Sequence, residues 1–242
     1  LLAAIFMAWF ANDIKAVMWV AVVPAFIAVA LLVIYVHEPE REHADPMGKA
    51  PLTLADARQL PLRYWLVVLL GGGFILARFS EAFLVLRAQD VGVALGYLPL
   101  VMVAMNVSYA AFAYPAGIAA DRIRPRTLLL IGLILLIAAD IALAVAASPL
   151  LAFVGCALWG LHMAFTQGLL AKLVADTAPA RLRGTAFGIF NLISGGALLL
   201  ASVIAGALWS AFGASATFLA GAAFATVTVF GLLGYRTTIK RS

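Results

Sequence analysis

Charged side chains are scarce. Asp, Glu, Lys and Arg supply 11% of the 242 residues while 65% are hydrophobic, so the chain has too little polar side chain to cover a water-soluble globule of its size. A single cysteine, Cys156, lies inside an apolar run. No intrachain disulfide can form, and the thiol is expected in the core rather than as a reactive group. No Gly-x-x-x-x-Gly-Lys-Ser/Thr loop occurs, which removes support for an ATP-driven motor. No His, Cys or carboxylate stands three or four residues beyond His162, so metal ligation is not expected there and no cofactor is implied. The net charge is +5, but the basic residues form short clusters between apolar runs. That pattern argues against a nucleic-acid partner and for topology signals.

What is abundant is apolar length. Runs of about 20 residues, enough for a helix to cross roughly 30 Å of hydrocarbon, recur along the chain. The opening stretch from Leu1 to Phe10 is apolar without a basic flank, and is expected to be the tail of a membrane helix that begins upstream, not a signal peptide. A complete span is predicted at about 16–36, with Pro24 tolerated as a kink. Residues 37–61, rich in charge and proline, read as a linker. Six further spans are predicted at about 62–86, 94–119, 127–146, 150–174, 184–210 and 214–235, each far too long for a strand. The fold class is therefore an all-α polytopic membrane bundle. The domains expected are 1–36, 37–61, 62–235 and a tail at 236–242.

The arginines and lysines orient this layout. With the linker on the cytoplasmic side, that face holds Arg41, Lys49, Arg58, Arg63, Arg122, Arg124, Arg126, Lys172, Arg181, Arg183, Arg236, Lys240 and Arg241, whereas the other holds Lys15 and Arg87. Linker and C-terminus are accordingly expected to be cytoplasmic, in a bacterial inner (plasma) membrane.

Two connecting segments carry a resemblance. Gly117-Ile-Ala-Ala-Asp121-Arg122-Ile-Arg-Pro-Arg126 resembles the signature loop of the major facilitator superfamily. Asp176-Thr-Ala-Pro-Ala-Arg-Leu-Arg183-Gly184 and the following Thr-Ala-Phe-Gly188 are similar to its late cytoplasmic loop. Ala119, Ala120 and Pro125 depart from the fuller pattern. The resemblance covers essentially the whole chain. It implies the end of transmembrane helix 5, helix 6, a central linker and helices 7–12, with the remaining N-terminal bundle as an intrachain partner and a small solute as ligand. It also implies alternating access, in which two bundles rock about a central site. A gating role is expected for Asp121 with Arg122, joined by Gly117, Arg126, Asp176 and Arg183. Asp121 is expected to cap the next helix or pair with a cytoplasmic arginine, and Gly117 to allow close helix approach. Positive-inside determinants are the alternative reading of the arginines.

Charge inside a span is costly and calls for a reason. Arg78 and Glu81, three apart in the span 62–86, are expected to share a helical face with Phe74 and to neutralise each other. By the resemblance this is helix 7, which lines the central cavity; snorkelling at the outer interface is the alternative. Trp159, His162 and Thr166 are expected on one face, with Gln167 beside them, as solute contacts or packing residues. Asp140 is expected to be protonated or paired across helices, and a structural partner is preferred to proton coupling. Asn106, Tyr109, Asn191 and Ser194 are candidates either for solute binding or for helix–helix hydrogen bonds. Gly71–Gly73 and Gly195–Gly196 are expected to be flexible or closely packed.

The functional expectation is a secondary transporter of a small, apolar or amphipathic solute, coupled to a proton gradient, with export and import both open. A non-transporting receptor or scaffold on the same fold is the alternative. An intramembrane enzyme has weak support, because no nucleophile–base spacing is present.

Overall fold

The computed structural model of the chain describes residues 5–6, 9–10, 13–35 and 57–239. Most of the expected linker and the last three residues of the tail lie outside them. The described residues fold as helices: α1 (Ile14–Tyr35), α2 (Leu62–Leu76), α3 (Ala82–Asp90), α4 (Pro99–Arg122), α5 (Pro125–Ala144), α6 (Pro149–Thr177), α7 (Arg183–Phe212) and α8 (Ala214–Ile239), with short 3-10 turns at Leu95–Tyr97 and Ala180–Leu182. Proline opens α4, α5 and α6, where its missing N–H costs nothing and its fixed φ favours the first turn. Ser148 caps α6 by accepting a 3.5 Å bond from Leu151 N–H. Gly213, at φ 83°, makes the sharp turn between α7 and α8, a conformation side chains resist.

Helices long and apolar enough to cross a bilayer occur at Lys15–Tyr35, Leu95–Arg122, Pro125–Ala144, Pro149–Thr177, Ala180–Phe212 and Ala214–Leu233. These match the predicted spans to within a few residues, except that α8 continues helically to Ile239, past the expected end at 235.

The predicted span 62–86 is different, because it is not one helix. α2 stops at Leu76 and the chain leaves the helical path before α3 begins at Ala82. Three consecutive glycines lower the helix propensity just upstream, and the break is held by side chains. Phe79 is buried in an aromatic cluster, with ring centroids 5.5 Å from Trp159, 5.4 Å from Phe218 and 5.3 Å from Phe83. Ser80 N–H, freed from the helix ladder, donates to Ser202 Oγ at 3.2 Å. Arg78 and Glu81 therefore do not share a helical face; they meet across the break at 3.4 Å.

The expected loop at 117–126 is also corrected. α4 runs through Arg122 and only Ile123 and Arg124 separate it from α5.

α6 is the central helix, packed on α4 and α5, while α8 covers α5 and α7 packs on α2 and α8. Close approach is made by glycine. A Cβ on Gly160 would stand 2.0 Å from Met105 O on α4, and one on Gly132 would stand 2.2 Å from Thr166 Cγ2. Gly117, by contrast, has open space around it, so it brings no helices together. Polar groups cross between helices too: Ser108 Oγ donates to Ala157 O at 2.7 Å across the α4–α6 seam, and Tyr64 O–H to Ala186 O at 2.9 Å between α2 and α7. α1 stands apart, with no substantial contact to the other described helices and with Trp19, Phe26 and Val33 exposed.

Candidate functional site

A cavity of about 330 Å³ lies between α2, α6 and α7, beside the helix break. Six of the predicted candidates line it: Phe74 and Arg78 from the α2 side, Thr166 and Gln167 from α6, and Asn191 and Ser194 from α7. α7 supplies the facing wall with Phe187, Phe190, Asn191 and Ser194. The break explains why an arginine reaches this space. Phe79 is anchored in the aromatic cluster, and Arg78, its neighbour in the non-helical segment, lines the cavity.

The polar groups of the cavity are largely unspent. Ser194 Oγ is buried without a hydrogen-bond partner, a state that ordinarily costs free energy. Thr166 Oγ1 is committed to His162 O at 2.9 Å. Arg78 keeps most of its donors, since its contact with Glu81 is a single long bond of 3.4 Å. Aromatic and aliphatic walls with a few convergent polar groups are the usual make-up of a small-molecule site.

Other predicted residues sit elsewhere. His162 and Trp159 are fully buried and do not line the cavity. His162 stacks on Phe74 at a centroid distance of 5.3 Å and 16°, while its Nδ1–H donates to Gly132 O at 2.9 Å. It supports the cavity wall from behind. Asn106 is exposed on α4 and its amide is returned to Met102 O of its own helix at 2.7 Å.

Asp140 is fully buried, and neither carboxyl oxygen has a hydrogen-bond partner. The preferred cross-helix partner is thus absent among the described residues. The carboxyl lies against Gly221 of α8, which Phe79 of the break also approaches: a Cβ on Gly221 would come 2.8 Å from Asp140 Oδ2 and 3.0 Å from Phe79 Cε1. Trp159 Nε1 and His162 Nε2 are likewise buried without partners.

The residues expected to gate lie together at one end of the bundle, where α4 and α6 end and α5 and α7 begin. Asp121 neither caps α5, whose first turn has no side-chain cap, nor pairs with arginine. It accepts a 2.8 Å bond from Lys172 Nζ of α6. The reason is position: Asp121 is at the C-terminal end of α4, where the dipole disfavours an anion, and the lysine offsets that. Arg126 Nη2 donates to Leu233 O of α8 at 3.0 Å. Asp176 ends α6, one turn beyond Lys172, and Arg183 opens α7.

At the opposite end is a residue that sequence reasoning passed over as a topology marker. Arg87 is buried, pairs with Asp90, and donates to three carbonyls at the end of α5: Leu143 at 2.8 Å, Ala144 at 3.2 Å and Ala146 at 2.9 Å. A guanidinium suits this role, with five donors and a preference for helix C-termini. Its isolation from other cations was the available signal.

Comparison with known proteins agrees with this architecture. The model of the Major Facilitator Superfamily matches residues 81–241, more than half of the chain. The chain belongs to the Major Facilitator Superfamily. As a member of that superfamily it is an integral membrane protein. It is also similar to an uncharacterized MFS-type transporter of Methanocaldococcus jannaschii, with 30% identity over 199 residues, 80% of this chain. The chain spans about half (49%) of that relative's length. The superfamily match begins at Glu81, inside the helix break, and so takes in the α6 and α7 walls of the cavity.

Proposed function

We propose that this chain is the C-terminal six-helix bundle, with the end of the preceding bundle, of a secondary transporter that moves a small amphipathic solute by alternating access. The carrying observation is the cavity at the α2–α3 break, where Arg78 faces Gln167, Asn191 and the unpartnered Ser194 across aromatic walls. Arg78 binds an anionic or strongly polar group of the solute, and Phe74, Phe187 and Phe190 take its apolar part. Discontinuous helices at such sites present polar backbone and side chains at membrane depth without exposing them to lipid. α1, apolar and uncovered by the rest of the described chain, fits a helix that packs in the first bundle.

The gating pair is Asp121 with Lys172, which ties α4 to α6 at the end that we assign to the cytoplasm. Proton coupling is assigned to Asp140, a carboxyl in the bundle interior with no hydrogen-bond partner, set against Gly221, which Phe79 of the break also approaches. The membership in a transporter superfamily and the resemblance to an MFS-type transporter support transport as the activity.

Uptake into proteoliposomes of the full-length protein, with and without a pH gradient, tests the reading. Arg78→Gln and Ser194→Leu are each expected to reduce uptake at least tenfold while leaving the thermal unfolding temperature near that of the parent. Unchanged kinetics in both variants would remove the cavity as the solute site, and absence of flux across a broad solute panel would sink the transporter reading.

A further inference from the structure

A second and larger space, about 580 Å³, opens at the end of the bundle where Asp121 and Lys172 lie, between α2, α5, α6 and α8. It shares no lining residue with the candidate solute cavity. Its walls are leucine, from Leu66 and Leu70 on α2 to Leu129 on α5 and Leu173 on α6. Its rim carries Arg63, Arg124 and Arg126, and no acidic residue lines it among the described residues.

Three further features mark the rim as an anion seat. Arg126 Nε is buried and has no partner, although its Nη2 is held by Leu233 O. α2 and α5 both begin at this rim, capped by Pro61 and Arg124 without any side-chain hydrogen bond. Neither helix has an acidic residue in its first turn, where one would ordinarily offset the positive dipole end and bond the free N–H groups. Three cations and two helix N-termini without side-chain caps therefore converge on one rim, with no acidic side chain opposite among the described residues. The space also opens sideways: Leu69 on its wall is 72% exposed, and Gly231 leaves a gap in the α8 side where a Cβ would meet nothing within 4 Å.

We propose that this trough is a binding site for an anionic phospholipid, with the headgroup phosphate at Arg63, Arg124 and Arg126 and an acyl chain lying along the leucine walls. Charge complementarity selects the headgroup, as basic pockets between transmembrane helices do for acidic lipids. The leucine walls select a lipid over a free phosphate, which has no use for them. Because α2, α5 and α6 all contribute, the bound lipid bridges the broken helix to α5 and to the central helix α6.

The experiment is native mass spectrometry of the detergent-purified full-length protein with phosphatidylglycerol, with phosphatidylcholine of matched chains, and with glycerol 3-phosphate as a free headgroup. Phosphatidylglycerol adducts should persist under phosphatidylcholine competition. Each of Arg63→Gln, Arg124→Gln and Arg126→Gln should weaken phosphatidylglycerol binding about fivefold, and all three together about a hundredfold. Arg181→Gln, a charge change outside the trough, should leave it unaltered. Gly231→Leu keeps every charge and fills the gap, so it too should lose the adduct, and it provides the test if the triple variant does not fold. Equal retention of the two lipids overturns the proposal and leaves the trough to another part of the chain. Displacement by glycerol 3-phosphate at concentrations comparable to the lipid, or full retention in the triple and Gly231→Leu variants, also overturns it. None of these readouts depends on transport.

Discussion

Replacement of Gly160 by alanine isolates the contact on which the α4–α6 seam depends. The new Cβ would stand 2.0 Å from Met105 O, 2.9 Å from its carbonyl carbon and 3.2 Å from its Cα. An ordinary carbon-to-oxygen contact needs about 3.3 Å, so the two helices must separate by about 1.3 Å. The obstacle is backbone, not the end of a flexible side chain, and Met105 and Trp159 beside it are buried, so no local rotamer change relieves it. Separation also stretches the Ser108 Oγ bond to Ala157 O, now 2.7 Å. Helices in lipid are held by such packing and hydrogen bonds, without a hydrophobic drive between them. Overpacking of this kind costs about 1–3 kcal/mol, and loss of the hydrogen bond adds about 1 kcal/mol. Gly168→Ala on the same helix is the control, because its Cβ meets nothing within 4 Å and alanine should stabilise it by about 0.5–1 kcal/mol. The assay is thermal unfolding of the purified protein in detergent. Gly160→Ala should unfold well below the parent and Gly168→Ala at or slightly above it. If Gly160→Ala unfolds no lower than Gly168→Ala, the inferred seam is wrong.

Arg87→Ala strands the carbonyls of Leu143 and Ala146, while Ala144 O keeps its 2.7 Å bond from Ser215 Oγ; a loss of about 2–4 kcal/mol is expected, read by denaturation, with Arg87→Lys recovering only part of it because ammonium lacks the planar fork. Asp121→Asn should leave the unfolding temperature unchanged, since the pair with Lys172 is exposed and such pairs add little stability, yet it should alter transport rate. The exchange Asp121→Lys with Lys172→Asp should restore that rate, and failure of the swap would count against pairing as the mechanism. Asp140→Asn is expected to abolish accumulation driven by a pH gradient while sparing solute exchange across the membrane; retained accumulation would remove Asp140 from coupling. His162→Ala should raise the half-saturating solute concentration by loosening Phe74, an effect that His162→Phe, which keeps the stacking, should largely reverse.

Apolar run length, proline at helix starts and one-sided arginines determine the all-α membrane class, the span positions and the grouping of basic residues at one end. These are local properties: a helix in lipid satisfies its own backbone within the segment, so its existence and ends are written in consecutive residues. The two connecting motifs likewise carry the family. What tertiary structure decides is every feature that depends on which helix stands beside which. The span at 62–86 reads as continuous because apolar residues flank Arg78 and Glu81 on both sides and no proline interrupts it, yet Phe79 finds Trp159 and Phe218 from distant segments and the helix breaks. The same event turns Arg78 from one face of a helix into a wall of the cavity, opposite Ser194, more than a hundred residues away. Gly117 and Gly160 are indistinguishable as letters, but Met105 O lies against only the second. Arg87 reads as a flanking cation until the end of α5 is placed over it. Pairings between helices are long-range in sequence and short-range in space, and a single chain's pattern records the first without the second.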